Sequence, residues 1–100
     1  MLIKQNSPTL TRKYNVVSSV MSYHVTDVAV RYHASNLVEL NDGGWTTQNT
    51  ARAMNFFFEE QGLPLKARFT KSKATNGIPT IFITVNGEEV RLLDKMSIVL

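Results

Sequence analysis

The chain has 100 residues and a formal net charge of +3, with 43% hydrophobic and 19% charged residues. This length suits one domain with its own hydrophobic core, and this composition excludes wholesale disorder. The absence of cysteine excludes disulfides and thiolate metal sites, and it fits a reducing compartment. No apolar run near the N-terminus is long enough for a signal peptide or a membrane span, so we expect a protein that acts inside a cell.

The basic residues concentrate in two segments of the chain. Residues 1–20 and residues 64–75 contain lysine and arginine but no acid, whereas the remaining segments are net negative. Segments of this kind can contact phosphate or an acidic protein. They can equally form a solvated surface that keeps the protein soluble.

The first half of the chain predicts strands. Residues 1–12 are largely polar and are expected to form a loose arm or a short edge strand. Residues 14–21 suit a helix or a strand, and their β-branched and serine content favours a strand. Residues 37–40 are predicted as a short strand. Between these segments, residues 25–32 alternate so as to bury one face, formed by Val28, Val30 and Tyr32.

One amphipathic helix is the clearest predicted element. Either Thr46 or Thr47 can cap its N-terminus, because a threonine hydroxyl accepts a hydrogen bond from a first-turn amide. Gly62 ends the helix, and Pro64 prevents its continuation. Phe56 lies to one side of the buried stripe and either closes a second side of the core or is exposed. The stripe itself consists of Ala51, Met54, Phe57, Phe58 and Gln61.

The C-terminal third predicts further strands over residues 65–71 and 79–85, then an edge strand or docking tail over residues 96–100. Asn86-Gly87 predicts a type I′ hairpin turn. Its register places Val85 opposite Glu88, Ile83 opposite Val90 and Ile81 opposite Leu92.

The predicted fold is one α+β domain over residues 1–100. An antiparallel β-sheet packs against one main α-helix, in the order β-β-(β)-α-β-β-β.

Four side chains are predicted to share the outward face of this sheet. The hairpin register puts Phe82 and Arg91 on that face, and strand alternation adds Lys66 and Arg68. Arginine beside an aromatic ring on an open sheet can stack bases and neutralise phosphates. The same face suits an acidic protein. Alternatively, the N-terminal segment covers Phe82, and the charges are only solvated.

Trp45, the only tryptophan, stands between a glycine turn and the predicted helix. We expect its ring to plug the core, and the alternative is an interface anchor, because tryptophan is enriched at binding hot spots. Arg52 and Phe56 on the helix complete the candidate binding residues.

No group of residues predicts catalysis, a metal or a cofactor. His24 and His33 are nine residues apart without carboxylates at ligand spacing, so we expect surface or hydrogen-bonded histidines. The adjacent pairs Glu59-Glu60 and Glu88-Glu89 point in different directions on a helix or a strand and cannot form one acid–base site. The Asp42-Gly43-Gly44 turn lacks a P-loop lysine, so we expect a tight turn there and not an anion site. We therefore predict that the protein is not an enzyme.

Residues 42–55 resemble a recurring pattern in small uncharacterised bacteriophage proteins. The matching residues are Gly43, Gly44, Trp45, Thr47, Thr50, Arg52, Met54 and Asn55. With the strands before them, they cover about a third of the chain. Ala51 and Ala53 stand where basic residues are commoner in that pattern. The resemblance implies a phage protein in the bacterial host cytoplasm, with Arg52 and Asn55 near the exposed flank of the helix.

These observations leave three hypotheses for function. We favour a small non-enzymatic protein that occupies and modulates or inhibits a host protein. The first alternative is a nucleic-acid-binding accessory protein that uses the basic and aromatic sheet face. The second is a minor structural or assembly protein that self-associates through its terminal strands as a homo-oligomer.

Overall fold

Eight strands in two antiparallel sheets and one α-helix make up the computed structural model, which describes residues 1–100. The larger sheet has the order β1-β2-β3-β4-β8, formed by Leu10–Tyr14, Ser18–Tyr23, Thr26–Tyr32, Leu37–Asn41 and Lys95–Val99. The smaller has the order β5-β6-β7, formed by Leu65–Thr70, Thr80–Val85 and Glu88–Arg91. The helix, α1, spans Gln48–Gln61, and Lys73–Thr75 form a short 3₁₀ turn. The predicted α+β class with one main helix is confirmed.

The strands divide into two sheets because the last strand returns to the first half of the chain. Asp94 adopts a φ of +60°, and its carbonyl accepts a hydrogen bond of 3.0 Å from the Asp42 N–H. From this point β8 runs antiparallel to β4, from Lys95 opposite Asn41 to Val99 opposite Leu37. The segment predicted over residues 96–100 is thus an edge strand, and it belongs to the larger sheet.

A hairpin turn interrupts the strand predicted over residues 14–21. Both the Val17 and the Ser18 N–H groups donate to Asn15 Oδ1 at 3.0 Å. This turn separates β1 from β2, which pair from Leu10 opposite Tyr23 to Tyr14 opposite Ser19. The strand conformation is confirmed over β2, but an asparagine side chain divides the segment into two strands.

A β-bulge in β3 overturns part of the predicted alternation. The register with β2 shifts so that Met21 pairs with Ala29 and Ser22 pairs with Asp27. The extra residue, Val28, lies between these pairs and is buried together with Ala29. Beyond the bulge the faces exchange, so Tyr32, which was predicted to be buried, is 39% exposed.

Local signals at both ends position α1 as predicted. Thr47 Oγ1 accepts a hydrogen bond of 3.2 Å from the Thr50 N–H, so Thr47 is the N-cap. At the other end Gly62 has a φ of +63°, and the Leu63 N–H donates to the Phe58 carbonyl at 2.8 Å. The helix packs mainly against β5 and also contacts β2 and β3. Its fully buried core side chains include Met54, Phe57 and Phe58.

The β6–β7 hairpin has the register that Asn86-Gly87 predicts. Val85 pairs with Glu88, Ile83 with Val90 and Phe82 with Arg91. Ile81 and Ile83 are fully buried against the helix side, and Leu92 joins the same core. Phe82 is left on the opposite, outward face.

Residues 1–9 lie outside both sheets, but they are hydrogen-bonded to α1. The Asn49 side chain accepts from the Ile3 N–H at 3.0 Å and donates to the Met1 carbonyl at 3.1 Å. Arg52 Nε donates to the Ile3 carbonyl at 3.1 Å. The edge strand β1 then begins at Leu10.

A carboxylate near the end of α1 binds β1 and the N-terminal segment to the helix. Glu60 accepts hydrogen bonds from Arg12 at 2.6 and 2.7 Å, from Tyr14 at 2.8 Å and from Gln5 at 2.8 Å. The bond with Arg12 is the main cause that lowers the pKa of Glu60 to about 2. Burial and the adjacent carboxylate raise the pKa of Tyr14.

Candidate functional site

A buried carboxylate builds the Gly-Gly-Trp turn that precedes α1. Asp42 is only 2% exposed, and its Oδ1 accepts from the Gly44 N–H at 2.8 Å. Its Oδ2 accepts from the Thr46 hydroxyl at 3.1 Å. The Asp42 carbonyl accepts from the Trp45 N–H at 2.9 Å. These bonds occupy both carboxylate oxygens inside the turn and fix its backbone.

Close contact with β3 requires glycine in this turn. A Cβ atom on Gly43 would lie 2.5 Å from Thr26 Oγ1 and 2.7 Å from Thr26 Cγ2. Gly43 also has a φ of +63°, which L side chains rarely adopt. Gly44 has a φ of +81°, but a Cβ there would meet no atom within 4 Å. Gly43 therefore packs the turn against the larger sheet, whereas Gly44 only allows the bend.

The helix holds the turn from its other end. The hydroxyl of Thr50, which is buried, donates to the Trp45 carbonyl at 2.9 Å. The Thr50 N–H also donates the N-cap bond to Thr47 Oγ1. Both backbone polar groups of Trp45 are thus bonded within the protein.

Trp45 is exposed, so the prediction of a core plug is wrong. Its side chain is 69% exposed, although its backbone is bonded on both sides to Asp42 and Thr50. The hydrogen bonds of the turn hold the backbone at the protein surface, where the ring faces solvent. An exposed tryptophan on an ordered backbone has the arrangement of an interface anchor.

A cleft of about 400 Å³ lies beside the Trp45 ring, and we name it the Trp45 cleft. Opposite Trp45, the rings of Tyr23 and His24 are 4.4 Å apart, and Val25 at the hairpin tip is 98% exposed. The cleft is lined by Tyr23, His24, Val25, Thr26, Val28, Asp42, Trp45, Thr47 and Thr50. Its only acidic residue is Asp42, whose carboxylate is occupied within the turn. The surface that a partner would meet is therefore mainly apolar and aromatic.

A second concavity also borders Trp45. It is formed by the turn and by the loop before β6, through Gly44, Trp45, Thr46, Thr47, Ile78 and Pro79. Ile78 is 54% exposed. Trp45 thus lines both concave surfaces.

The sequence did not predict that His24, Val25 and Ile78 line the concave surfaces beside Trp45. His24 and Val25 form the two-residue turn between β2 and β3, with a φ of +55° at His24. This turn lacks the asparagine and glycine that mark such hairpins, so the alternation of residues 25–32 predicts Val25 as part of the strand. Nothing in the local pattern places Ile78 in the same concavity as Trp45, because only tertiary packing brings these two segments together.

The smaller sheet displays the four residues predicted to share its outward face. Arg68 pairs with Phe82 across β5 and β6, and Phe82 pairs with Arg91 across β6 and β7. Lys66 lies on the same face two residues before Arg68. We name Lys66, Arg68, Phe82 and Arg91 the basic–aromatic face. Its three basic side chains are exposed, and Phe82 is half-buried.

Two contacts hold Arg68 across this face. Its guanidinium carbon lies 4.9 Å from the centroid of the Phe82 ring. Its Nε and Nη2 atoms donate to the two carboxylate oxygens of Glu89 at 2.8 and 3.1 Å. Hydrogen bonding to Arg68 lowers the pKa of Glu89. Because both side chains are exposed, this ion pair contributes little to stability.

Arg52 and Phe56 lie apart from both surfaces. The Arg52 guanidinium is 5.4 Å from the Phe56 ring centroid, and its Nε binds the Ile3 carbonyl. Phe56 is half-buried against the core. Asn55, expected near the exposed flank, donates to the Ala67 carbonyl at 2.8 Å and accepts from its N–H at 2.7 Å. Arg52 thus anchors the N-terminal segment, and Asn55 anchors β5.

The histidines occupy separate positions. His33 Nε2 lies 2.9 Å from Ser19 Oγ, and His24 packs on Tyr23 at the cleft. The structure contains no group of three or more histidine or acidic residues that could hold a metal ion.

Comparison with protein-family models, curated proteins and solved structures gives no match to this chain. The resemblance of residues 42–55 to phage proteins therefore stays a prediction.

Proposed function

We propose that this protein is a non-enzymatic binding protein that engages a partner protein through Trp45 and the Trp45 cleft. The observation that carries this proposal is a 69% exposed tryptophan on a turn that the fold already holds rigidly. Tryptophan is among the residues that supply most of the energy at protein interfaces. A turn that is ordered before binding loses less conformational entropy when the complex forms.

The chemistry of the two concave surfaces indicates an apolar contact with the partner. Neither surface presents a free carboxylate, lysine or arginine among its lining residues. The cleft volume of about 400 Å³ lies at the lower end of the range for ligand pockets, and it can receive one or two apolar side chains. The partner would thus surround Trp45 with apolar groups on both sides.

The resemblance of residues 42–55 supports a more specific proposal. On that basis the protein is phage-encoded, acts in the bacterial cytoplasm and modulates or inhibits the host protein that it occupies. In the structure, no helix has the length and apolar character needed to cross a membrane.

A pull-down from nuclease-treated bacterial lysate tests the proposal, using the wild type, Trp45→Ala and Tyr32→Ala. We expect one host protein to be retained by the wild type and by Tyr32→Ala but lost with Trp45→Ala. Tyr32 is the control because it is an exposed aromatic residue on the larger sheet, outside the cleft. Far-ultraviolet circular dichroism checks that each variant is folded.

Fluorescence then tests direct contact with the purified host protein. Because Trp45 is the only tryptophan and is exposed, its emission should shift to shorter wavelength when a tryptophan-free fragment of the partner covers it. Equal retention by Trp45→Ala, or an unchanged emission in the complex, would place the interface elsewhere and refute the proposal.

A further inference from the structure

We propose that the basic–aromatic face is a second binding site and that its ligand is single-stranded nucleic acid. This site is separate from the Trp45 cleft, and none of its residues lines either concave surface around Trp45. The inference therefore does not depend on the function proposed above.

The face offers a flat platform on which a base can stack. Arg68, Phe82 and Arg91 lie directly opposite one another on three adjacent strands, which are about 4.8 Å apart. The Arg68 guanidinium already lies over the Phe82 ring at 4.9 Å. Bases stack on aromatic rings and on guanidinium planes alike, so the two groups form one extended stacking surface.

The charges on the face are complementary to a phosphate backbone. Lys66, Arg68 and Arg91 are exposed, and the acid that faces them in the same rows is Glu89. On the same face, the adjacent cross-strand row consists of Lys66, Thr84 and Glu89, with Thr84 in the middle. A strand running across these rows could stack a base on the Arg68–Phe82 pair while Lys66 and Arg91 contact its phosphates.

The face is open to a ligand because the helix covers the other side of the sheet. Ala67 and Ile83 are buried on that covered side. The N-terminal segment, which could have covered Phe82, is bonded instead to Asn49, Arg52 and Glu60 of α1. An open sheet face with the exposed Arg68 stacked on the Phe82 ring suits unstacked bases, whereas a duplex keeps its bases paired and inaccessible to such a platform.

Glu89 gives the proposal a specific consequence. Its carboxylate occupies two donors of Arg68, at 2.8 and 3.1 Å, and would repel a phosphate that approaches the same guanidinium. Removing this negative charge should strengthen binding, because Arg68 then becomes free to contact the ligand. A site for nucleic acid elsewhere on the protein would respond to Glu89→Gln no more than to any other loss of a negative charge.

Fluorescence anisotropy with a labelled oligothymidine of about 20 nucleotides tests the proposal at several salt concentrations. We expect the affinity to fall steeply with salt, because phosphate contacts release counterions. Arg91→Ala should weaken binding about tenfold and make the salt dependence less steep. Phe82→Leu should weaken it about tenfold at every salt concentration, because stacking does not involve counterions. Glu89→Gln should strengthen it several-fold.

Two matched controls remove the same charges elsewhere. Lys13→Ala removes an exposed positive charge from β1, and Glu59→Gln removes an exposed negative charge from α1. We expect both to change the affinity by less than about threefold. Trp45→Ala should bind the oligonucleotide like the wild type, which separates this site from the Trp45 cleft.

Three outcomes would overturn the inference. One is the absence of binding at low salt, and another is an equal loss of affinity in Arg91→Ala and Lys13→Ala. The third is equal competition by poly-glutamate together with an unchanged affinity in Phe82→Leu. That result would instead assign the face to an acidic protein.

Discussion

The Trp45 cleft and the basic–aromatic face both present an aromatic side chain to solvent, but they position it by different means. At the cleft, two buried side chains within residues 42–50, Asp42 and Thr50, hold an irregular backbone, and the missing Cβ of Gly43 lets this backbone approach Thr26 on β3. At the face, the pairing of three strands alone places Phe82 between two arginines. The cleft therefore depends on a few individual atoms, whereas the face depends on a register supported by many backbone hydrogen bonds.

This difference has a consequence for how the two surfaces respond to substitution. A single change in the turn should displace Trp45 and also destabilise the protein, because the supporting groups are buried. A single change among the exposed residues of the face should alter binding with little effect on stability.

Gly43→Ala should have the largest effect, a loss of about 2–5 kcal/mol in the free energy of unfolding. The substitution combines a positive φ with a Cβ placed 2.5 Å from Thr26 Oγ1. Gly44→Ala is the matched control, because it meets no atom within 4 Å and should cost only about 1–2 kcal/mol.

Urea unfolding of the two glycine variants measures these changes. If Gly43→Ala is no less stable than Gly44→Ala, the turn is not held against β3 as described. Oligonucleotide binding by folded Gly43→Ala should remain normal, since the smaller sheet does not contact the turn through Gly43.

Asn55→Ala should destabilise the protein by about 1–3 kcal/mol. It removes the partner of both the N–H and the carbonyl of Ala67, a residue that is only 4% exposed. Asn49→Ala also removes two bonds to backbone groups, but they belong to the exposed Met1 and the only partly buried Ile3, so we expect a loss below about 1 kcal/mol.

Amide hydrogen exchange provides a local measurement that distinguishes Asn55→Ala from Asn49→Ala. The Ala67 amide should exchange faster in Asn55→Ala than in Asn49→Ala, because only the first variant frees it. Equal protection of Ala67 in both variants would contradict the anchoring role assigned to Asn55.

Of the three main substitutions, Glu60→Gln should have the smallest effect, a loss of about 1 kcal/mol in the free energy of unfolding near neutral pH. The folded-state pKa of about 2 lies below the unfolded value of 4.5, so the stabilisation is fully present above pH 4.5 and disappears as the pH falls through about 2. Solvent screening reduces the contribution of ionised Glu60 to the free energy of unfolding, because the Arg12 and Glu60 side chains are 27% and 19% exposed.

Thermal unfolding from pH 7 down to pH 2 checks this dependence. The difference between the wild type and Glu60→Gln should shrink towards the acid end, whereas the neighbouring exposed Glu59→Gln should show little difference throughout. A difference that stays constant with pH would show that the ionised form of Glu60 does not stabilise the fold. Because Glu60 lies in neither surface, both binding activities should persist in this variant.

The sequence predicted the arrangement of the basic–aromatic face but not the exposure of Trp45, and the reason is physical. The register of the basic–aromatic face followed from Asn86-Gly87 and strand alternation, which are signals carried by neighbouring residues. The exposure of Trp45 did not follow, because it depends on the approach of Gly43 to Thr26, a residue on another strand. The bulge at Val28 likewise exchanged the faces of β3 without a local signal in the sequence.

By itself, the sequence determined the features that arise within a few residues. These are the helix with a threonine cap at its start and Gly62 at its end, the β6–β7 hairpin and the α+β class. Only the tertiary structure decided the division into two sheets, through the β4–β8 pairing, and the surface position of Trp45. Caps and tight turns are stabilised by hydrogen bonds between neighbouring residues, so a short sequence pattern specifies them. Strand partners and side-chain exposure instead depend on which distant segments bury their apolar surface together.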